Sequence, residues 1–559
     1  MLKQDAPSRR ARLLAAAAIA FAGTVPTPGG AAAKELGPLI RISGENPFSG
    51  CTADGADGQE GTLYPDTEIE PFVAADPTDP DSLLAGWQQD RWDNGGARGD
   101  VAGVSLNGGA SWRTVVVPGV SRCAGGEFLR ASDPWVDFSP YGVAYFMSLA
   151  FEPDLTTPSG EFAGFGRNAM LVNRSTDGGL TWEGPVTLIQ DTDPQVLNDK
   201  NSLTADPTNP SLAYAVWDRL QDFTVPPPGD GGEGSAEAAV VAEGGRTGDG
   251  VALARERIRQ LQARAEAATA EAGSEPTEVL FTGPTYFART TDAGRSWEKA
   301  REIYDPGPNE QTLGNQIVVQ PSGTLVNFFT HILPTGVTRL ELIRSFDKGK
   351  TWEKKPSVVT VEVTFRSITP DQQEPIRDAA NLFDVAVDPR NGNLYAVLQE
   401  YRYRGVEEVS FVMSKDGGRT WSAPVRINKT PANRNPLRQQ AIVPSVEVGP
   451  GGVLAVTYYD FRNDKDEGEL TDYWAVFCNP AARDCRRASG WGGELRLTDA
   501  SFDFLNAPIA RGHFLGDYMG LDRAGDAVVA VFGVATGPNL ADLFARKITF
   551  GVGVASVAP

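Results

Sequence analysis

Ser414-Lys415-Asp416-Gly417-Gly418-Arg419-Thr420-Trp421 is the stretch from which the fold can be read, because it recurs. The same pattern stands at Ser105-Leu106-Asn107-Gly108-Gly109-Ala110-Ser111-Trp112 and at Ser175-Thr176-Asp177-Gly178-Gly179-Leu180-Thr181-Trp182. It stands again at Thr290-Thr291-Asp292-Ala293-Gly294-Arg295-Ser296-Trp297 and at Ser345-Phe346-Asp347-Lys348-Gly349-Lys350-Thr351-Trp352. The common form is [S/T]-x-[D/N]-x-G-x-[S/T]-W. An Asp or Asn side chain accepts backbone N–H bonds inside a turn. Gly supplies positive φ. A Trp that opens the next strand has the bulk to fill a gap between sheets. Each box is therefore read as a hairpin turn.

A second repeat lies upstream of each box: an apolar segment, a turn, and a second apolar segment. The pairs are Phe72–Ala75 with Leu83–Trp87, Trp135–Phe138 with Val143–Leu149, and Leu203–Ala205 with Leu212–Trp217. Further on come Ile317–Val319 with Leu325–Phe329, Phe383–Val387 with Leu394–Leu398, and Val446–Val448 with Val453–Tyr459. The last is Met519–Leu521 with Ala527–Phe532. Each unit reads as strand, turn, strand, loop, strand, box, strand. Four antiparallel strands repeated radially predict an all-β fold, a β-propeller of four-stranded antiparallel blades. Seven pairs favour seven blades, with six the alternative if the last pair only closes the ring. The sixth unit has no box but carries Cys478-Asn479-Pro480-Ala481-Ala482-Arg483-Asp484-Cys485 at that place. The seventh runs out after Leu543–Phe550, so its outer strand is expected from Leu39–Ser43 near the N-terminus. That would cover an open edge.

Composition narrows the function. The 61 Gly and 40 Pro among 559 residues suit a turn-rich chain. A net charge of −21 argues against general nucleic-acid backbone binding. Two His, His331 and His513, exclude multi-His metal sites, and no metal or cofactor is expected. Residues 1–33 read as a signal peptide: Arg9, Arg10 and Arg12, a short apolar stretch, then Ala31-Ala32-Ala33. Both a twin-arginine signal and an ordinary secretory signal fit. No later stretch is long and apolar enough to span a membrane. Cys51, Cys123, Cys478 and Cys485 suit an oxidising compartment, so a secreted or periplasmic location is expected. Three pairings are formally open. The short spacing favours Cys478 with Cys485, which leaves Cys51 with Cys123. The expected organisation is a leader at 1–33, an N-terminal segment at 34–69 and a propeller at 70–559. A Gly/Pro-rich and helical insertion at 221–280 interrupts the third unit. It reads as a solvated insertion, or else as a lid or partner-binding arm.

The boxes resemble the Asp boxes of the sialidase (neuraminidase) superfamily, including secreted bacterial BNR-repeat proteins of exo-α-sialidase type. As a repeat pattern the resemblance covers essentially the whole chain after the leader. It implies a propeller that binds or hydrolyses glycans, in which arginines hold a substrate carboxylate and a Tyr and carboxylates do the chemistry. The family's Arg-Ile-Pro motif is met here only by Arg41-Ile42-Ser43, without the Pro. Members of the family also include non-catalytic binding modules.

Alternating strand direction puts the boxes on one face, and the loops after each second strand on the other. There an acid followed closely by an arginine recurs: Asp90-Arg91, Asp218-Arg219, Glu400-Tyr401-Arg402 and Asp460-Phe461-Arg462. The lead-ins to the first strands add Glu68, Glu70, Asp133, Asp199, Asn201, Asn315, Arg377, Asp378, His513, Asp517 and Tyr518. Carboxylates and tyrosines supply acid, base and nucleophile roles, and arginines clamp anionic sugars. The expected catalytic set is Asp90, Asp218, Tyr459, Asp460, Asp517 and Tyr518. The expected ligand-binding set is Arg91, Arg219, Arg402, Arg462 and Glu70, converging on a shared pocket for a carbohydrate or glycoconjugate. The competing reading makes each acid–Arg pair a structural ion pair. A monomer is expected. The alternative function is a non-catalytic glycan- or protein-binding propeller.

Overall fold

The computed structural model describes residues 34–157, 162–225, 279–465 and 468–551. The leader at 1–33 and residues 226–278 of the insertion lie outside the described residues.

The described chain is all-β with short 3-10 turns, and its strands pair antiparallel. The first unit is Leu63–Asp76, Asp79–Trp92, Ala97–Ser105 and Arg113–Val116. The second is Arg130–Phe138, Ala144–Phe151, Asn168–Ser175 and Val186–Asp191, joined to the first by one bridge between Ala97 and Ala131. The third is Val196–Ala205, Ala213–Asp222, Thr285–Thr290 and Arg301–Tyr304. The fourth is Gln311–Val319, Leu325–Ile332, Thr338–Ser345 and Ser357–Glu362. The fifth is Phe383–Val387, Leu394–Glu400, Glu408–Ser414 and Val425–Arg426. The sixth is Ala441–Val448, Leu454–Asp460, Leu470–Cys478 and Gly492–Arg496. The last is Gly520–Ala524, Ala527–Gly537 and Leu540–Phe550, completed by Lys34–Arg41 from the N-terminal segment. That added strand begins five residues earlier than Leu39 and stops at Arg41, short of Ser43.

Each middle strand is covered on both faces, so it reads as a continuous apolar run rather than an alternating one. Ala527 to Phe532 are all buried, as are Ala213 to Trp217. A fully buried Val, Leu or Phe contributes about 1.5–3 kcal/mol. The first strands touch in succession. Phe72 stacks on Trp135 at 3.7 Å, Ala205 N–H donates to Asp137 at 2.8 Å, and Thr204 donates to the Ile317 carbonyl at 2.7 Å. Gln316 donates to the Phe383 carbonyl at 3.0 Å, Val446 N–H to Asp384 at 2.7 Å, and Ser445 to the Met519 carbonyl at 2.8 Å. Ala75 N–H then donates to Asp522 at 2.7 Å, which returns the succession to the first unit.

The boxes are turns of one design. In the fifth unit Gly418 N–H donates to Ser414 at 2.9 Å, and Thr420 N–H donates to Asp416 at 2.9 Å. Gly418 has φ 81°, which a side chain would strain. Hydrogen bonds from Thr420 pull the Asp416 carboxyl down to about 2, and those from Ser296 do the same for Asp292. Trp352 and Trp421 lie edge-on against Phe287 and Phe328, one unit back. In the sixth unit Cys478 bonds to Cys485, and Trp491 takes the same place against Phe411 of the fifth unit at 4.8 Å. The other disulfide joins Cys51 to Cys123.

Candidate functional site

On the side away from the boxes, five of the first strands begin with a bulge. The register slips between Ile69 and Phe72, Ser132 and Trp135, Asp199 and Ser202, Leu313 and Gln316, and Ile442 and Ser445. Inside each slip one residue is left-handed: Glu70 (φ 56°), Asp133 (52°), Lys200 (49°), Gly314 (67°) and Val443 (52°). Non-glycine residues in this region cost about 1–3 kcal/mol each and cluster at working sites. A bulge re-aims its side chain. Here it brings Glu70, Asp133 and Lys200 together from three units.

Lys200 Nζ lies 2.5 Å from Asp517, 3.5 Å from Asp133 and 3.8 Å from Glu70. Asp517 also takes a two-pronged contact from Arg377, at 3.0 and 2.6 Å. Against burial, Arg377 and Lys200 hold the Asp517 carboxyl well below the usual range. Glu70 accepts from Gln88 and from Asp517 N–H at 3.2 Å, and burial pushes its carboxyl up to about 7. Arg91 donates to Gln88 at 2.6 Å. Phe514, fully buried, lies under the guanidinium groups of Arg91 (5.3 Å) and Arg377 (4.2 Å). The loop carrying Phe514 crosses here: Arg377 N–H donates to His513 O, and Glu70 N–H to Leu515 O.

Beside this buried hub stands a half-buried carboxyl, Asp199. Burial and then the charge of Asp133 push Asp199 up to about 6. Arg511 is exposed, with φ 63°, and its side chain feels the charges of Asp199 and Asp517. Its guanidinium makes no hydrogen bond or ion pair among the described residues. Arg366 reaches the same spot and donates to the Arg511 carbonyl at 3.3 Å.

Four of the residues expected as catalytic or ligand-binding meet at this hub, Arg91, Glu70, Asp517 and Tyr518, together with the lead-in residues Asp133, Asp199 and Arg377 that the sequence also singled out. Tyr518 donates to the Pro134 carbonyl at 3.1 Å and lies edge-on to Trp135 at 5.4 Å. The others are engaged elsewhere. Asp90 accepts from Asn46 at 2.7 Å and from Asp66 N–H at 2.9 Å, pinning the N-terminal segment. Asp218 accepts from Gly314 N–H at 3.0 Å and from Asn315, and burial raises it well above the usual range. Arg219 clamps Asp191 of the second unit at 2.9 and 3.2 Å. Arg402 is held by Glu400 and by the Val361 carbonyl of the fourth unit. Asp460 is paired with Arg462 at 2.6 Å, and Arg462 with Glu494 at 2.5 Å. Burial lifts Asp460 to about 6. Tyr459 is buried and donates to the Gly533 carbonyl at 2.7 Å. The four arginines thus do not share one pocket: three serve ion pairs within or between units. Lys200 and Arg511 carry no motif, and sequence reasoning missed both. A signal did exist: a Pro or Asn follows the charged bulge residue at Glu70-Pro71, Asp133-Pro134 and Lys200-Asn201.

Asp371, Asp464 and Glu469 approach one another in the loops of the same side. Arg438 pairs with Asp464 at 2.7 Å and with Asp371 at 2.9 Å, which supplies a cation already.

No protein-family model matches this chain, and no curated protein does. Among solved structures it is similar to a Hadza microbial sialidase: 16% identity, TM-score 0.41, 84% of this chain and 74% of that one. A NanB sialidase variant from Streptococcus pneumoniae gives 10% identity and a TM-score of 0.41, over 93% and 99% of the two chains. An alpha-L-arabinofuranosidase from Fusarium graminearum gives 12% identity and a TM-score of 0.38, over 72% and 92%. No residue role or substrate is carried over from them.

Proposed function

We propose that this chain is a secreted, seven-bladed Asp-box propeller that hydrolyses glycosides at the mouth lined by Asp199, Asp133, Arg377 and Arg511. The blade count is supported by the unbroken succession of first-strand contacts from Phe72 round to Ala75. Two disulfides support an oxidising compartment. Among the described residues no helix is long and apolar enough to cross a membrane.

The observation that carries the reaction is the pairing of unlike groups. Asp199, lifted to about 6, holds a proton for part of the time near neutral pH, while Asp517, held by Arg377 and Lys200, stays ionised. Such divergence separates the group that carries a proton, Asp199, from one that serves as a fixed charge, Asp517. In this reading Asp199 gives its proton to the glycosidic oxygen as the C–O bond breaks. The bonding electrons leave with the alcohol, water adds to the anomeric carbon, and the water's proton returns to Asp199. Arg511, with Arg377 behind it, suits a substrate with a carboxylate or other anionic group. Tyr518 donates to the Pro134 carbonyl, which favours water as the nucleophile in this reading.

The mature chain is tested against fluorogenic α-sialosides and other glycosides, with a glycan array alongside. Asp199→Asn should lower kcat about 100-fold or more while binding persists. Arg511→Ala should weaken binding by about 1.5–3 kcal/mol. Full turnover by Asp199→Asn moves the chemistry elsewhere. The second reading, a non-catalytic glycan- or protein-binding propeller, is favoured by Phe514, which fills the space between Arg91 and Arg377. Array binding that is lost in Arg511→Ala, with no turnover by the parent chain, establishes that reading instead.

A further inference from the structure

The loop that leaves the fourth unit on the side away from the boxes, residues 363–367, turns an aromatic ring outward. Phe365 is 46% exposed, and its ring centre lies 5.9 Å from that of Tyr401. The backbone sets its place, not burial of the ring. Phe365 N–H donates to Glu407 and Ser367 N–H donates to Asp378 at 2.8 Å, both of them buried carboxyls. Tyr401 N–H donates to the Val363 carbonyl at 2.7 Å, and Thr364 donates to Asn381 at 2.7 Å. Burying carboxyls costs stability, and a ring left in water offsets little of that. A loop tied down in this way around an exposed ring is a presented surface.

Next in the chain, Arg366 is exposed and donates to the Arg511 carbonyl at 3.3 Å, which sets Phe365 beside the cation of the mouth. Neither arginine forms an ion pair among the described residues. Two residues before Arg511, Ile509 is 45% exposed, and its bridge to His513 closes the turn that carries Arg511. Exposed guanidinium groups without a carboxylate suit an anion. An exposed aromatic face suits a ring that is apolar on one side and polar at its edge. An acidic sugar answers the first description, and a sugar joined to it answers the second.

We propose that Phe365 is a specificity-determining residue: its ring is the platform for the second sugar of an acidic oligosaccharide whose acidic unit lies at Arg511. The proposal rests on the reading of this mouth as a site for anionic glycans, and it makes the ligand at least a disaccharide. The Arg366 side chain bridges from the loop of Phe365 to Arg511, so the ring stands one unit along from the anionic group and not beneath it.

The experiment sets the mature chain on an array of acidic monosaccharides, sialyl and hexuronyl, and of the same sugars extended by one and two neutral units. The parent should bind each extended glycan more tightly than its acidic monosaccharide. Phe365→Ala should lose about 3- to 10-fold in affinity for the extended glycans, the size of one aromatic contact, and far less for the monosaccharides. Phe365→Trp, which keeps a ring on the same backbone, should retain the preference. Arg511→Ala should weaken both classes alike. An unchanged preference in Phe365→Ala overturns the proposal, as does equal binding of short and extended glycans by the parent. Where glycosides are turned over, Phe365→Ala should raise KM for an extended substrate far more than for the glycosyl fluoride, which has no second ring. A lost preference in a protein with no turnover keeps the platform and removes the hydrolase reading alone. Turnover with the preference intact removes the platform alone. A parent that binds no acidic glycan removes both.

Discussion

The box side and the bulge side treat repetition in opposite ways. At the boxes the same side chains recur and do the same local work. Asp177, Asp292, Asp347 and Asp416 each accept from the Ser or Thr four residues on, within their own turn. At the bulges the backbone recurs while the side chain changes: Glu70, Asp133, Lys200, Gly314, Val443. The box acids are held below the usual carboxylate range by local donors, whereas burial lifts Glu70 and Asp199 above it. Sequence that repeats with its geometry marks what each unit needs for itself. Geometry that repeats with varied sequence marks where the units combine into something none of them has alone.

Substitutions can break this contrast. The largest effect is expected from Asp517→Asn, which strands the Arg377 charge and takes from Lys200 its nearest carboxylate. Losing one partner of a buried pair costs about 3–5 kcal/mol, read as a lower urea midpoint. Next are the disulfides, one on each side of the contrast. Cys51→Ser/Cys123→Ser opens a loop of 72 residues and should cost about 4 kcal/mol, while Cys478→Ser/Cys485→Ser opens one of 7 and should cost about 2 kcal/mol. Calorimetry of the two double variants reads the order, and a larger loss for the short loop would reverse it. Asp416→Ala should cost only about 1 kcal/mol and leave the Asp199 titration where it was. A moved titration would mean that the two sides are coupled.

The smallest effect concerns pH. His331 sits between Glu310 at 2.6 Å and Glu341 at 2.9 Å. Against burial, those two contacts raise the imidazolium to about 9. Its folded-state value lies above the ordinary 6.5, so its stabilisation is complete below about 6.5 and fades as pH rises through 9. The melting temperature should therefore fall between pH 7 and 10 by more in the parent than in His331→Gln.

The boxes, the paired apolar runs and the Cys478–Cys485 disulfide were legible in the sequence, because each depends on neighbours a few residues away, and Cys51–Cys123, 72 residues apart, then followed by elimination. The acid–Arg pairs were legible as a pattern but not as a site. Successive residues of a strand point to opposite faces. Asp90 and Arg91 therefore part company: the acid faces Asn46 and Asp66, and the arginine faces Gln88 and Phe514. Asp218 and Arg219 divide in the same way between Asn315 and Asp191. Asp460 and Arg462, two apart, share a face and pair with each other. Lys200 was illegible for a different reason. Its partners are Asp133 and Asp517, far away in the chain, and a bulge that reads as no motif aims it at them.

The last unit borrows its outer strand from the start of the chain: Lys34 stands opposite Phe550, and Arg41 opposite Phe544. About 500 residues separate the two halves of that sheet, a very non-local pairing of the kind that forms slowly. Lys34–Arg41 cannot take its place until residues 544–550 have been made. An unpaired strand edge is open to pairing with another chain. A circular permutant that joins Phe550 to Lys34 through a short linker, and opens the chain at the exposed Tyr141 turn, would make that pairing a local hairpin. It should refold faster with its native sheet intact.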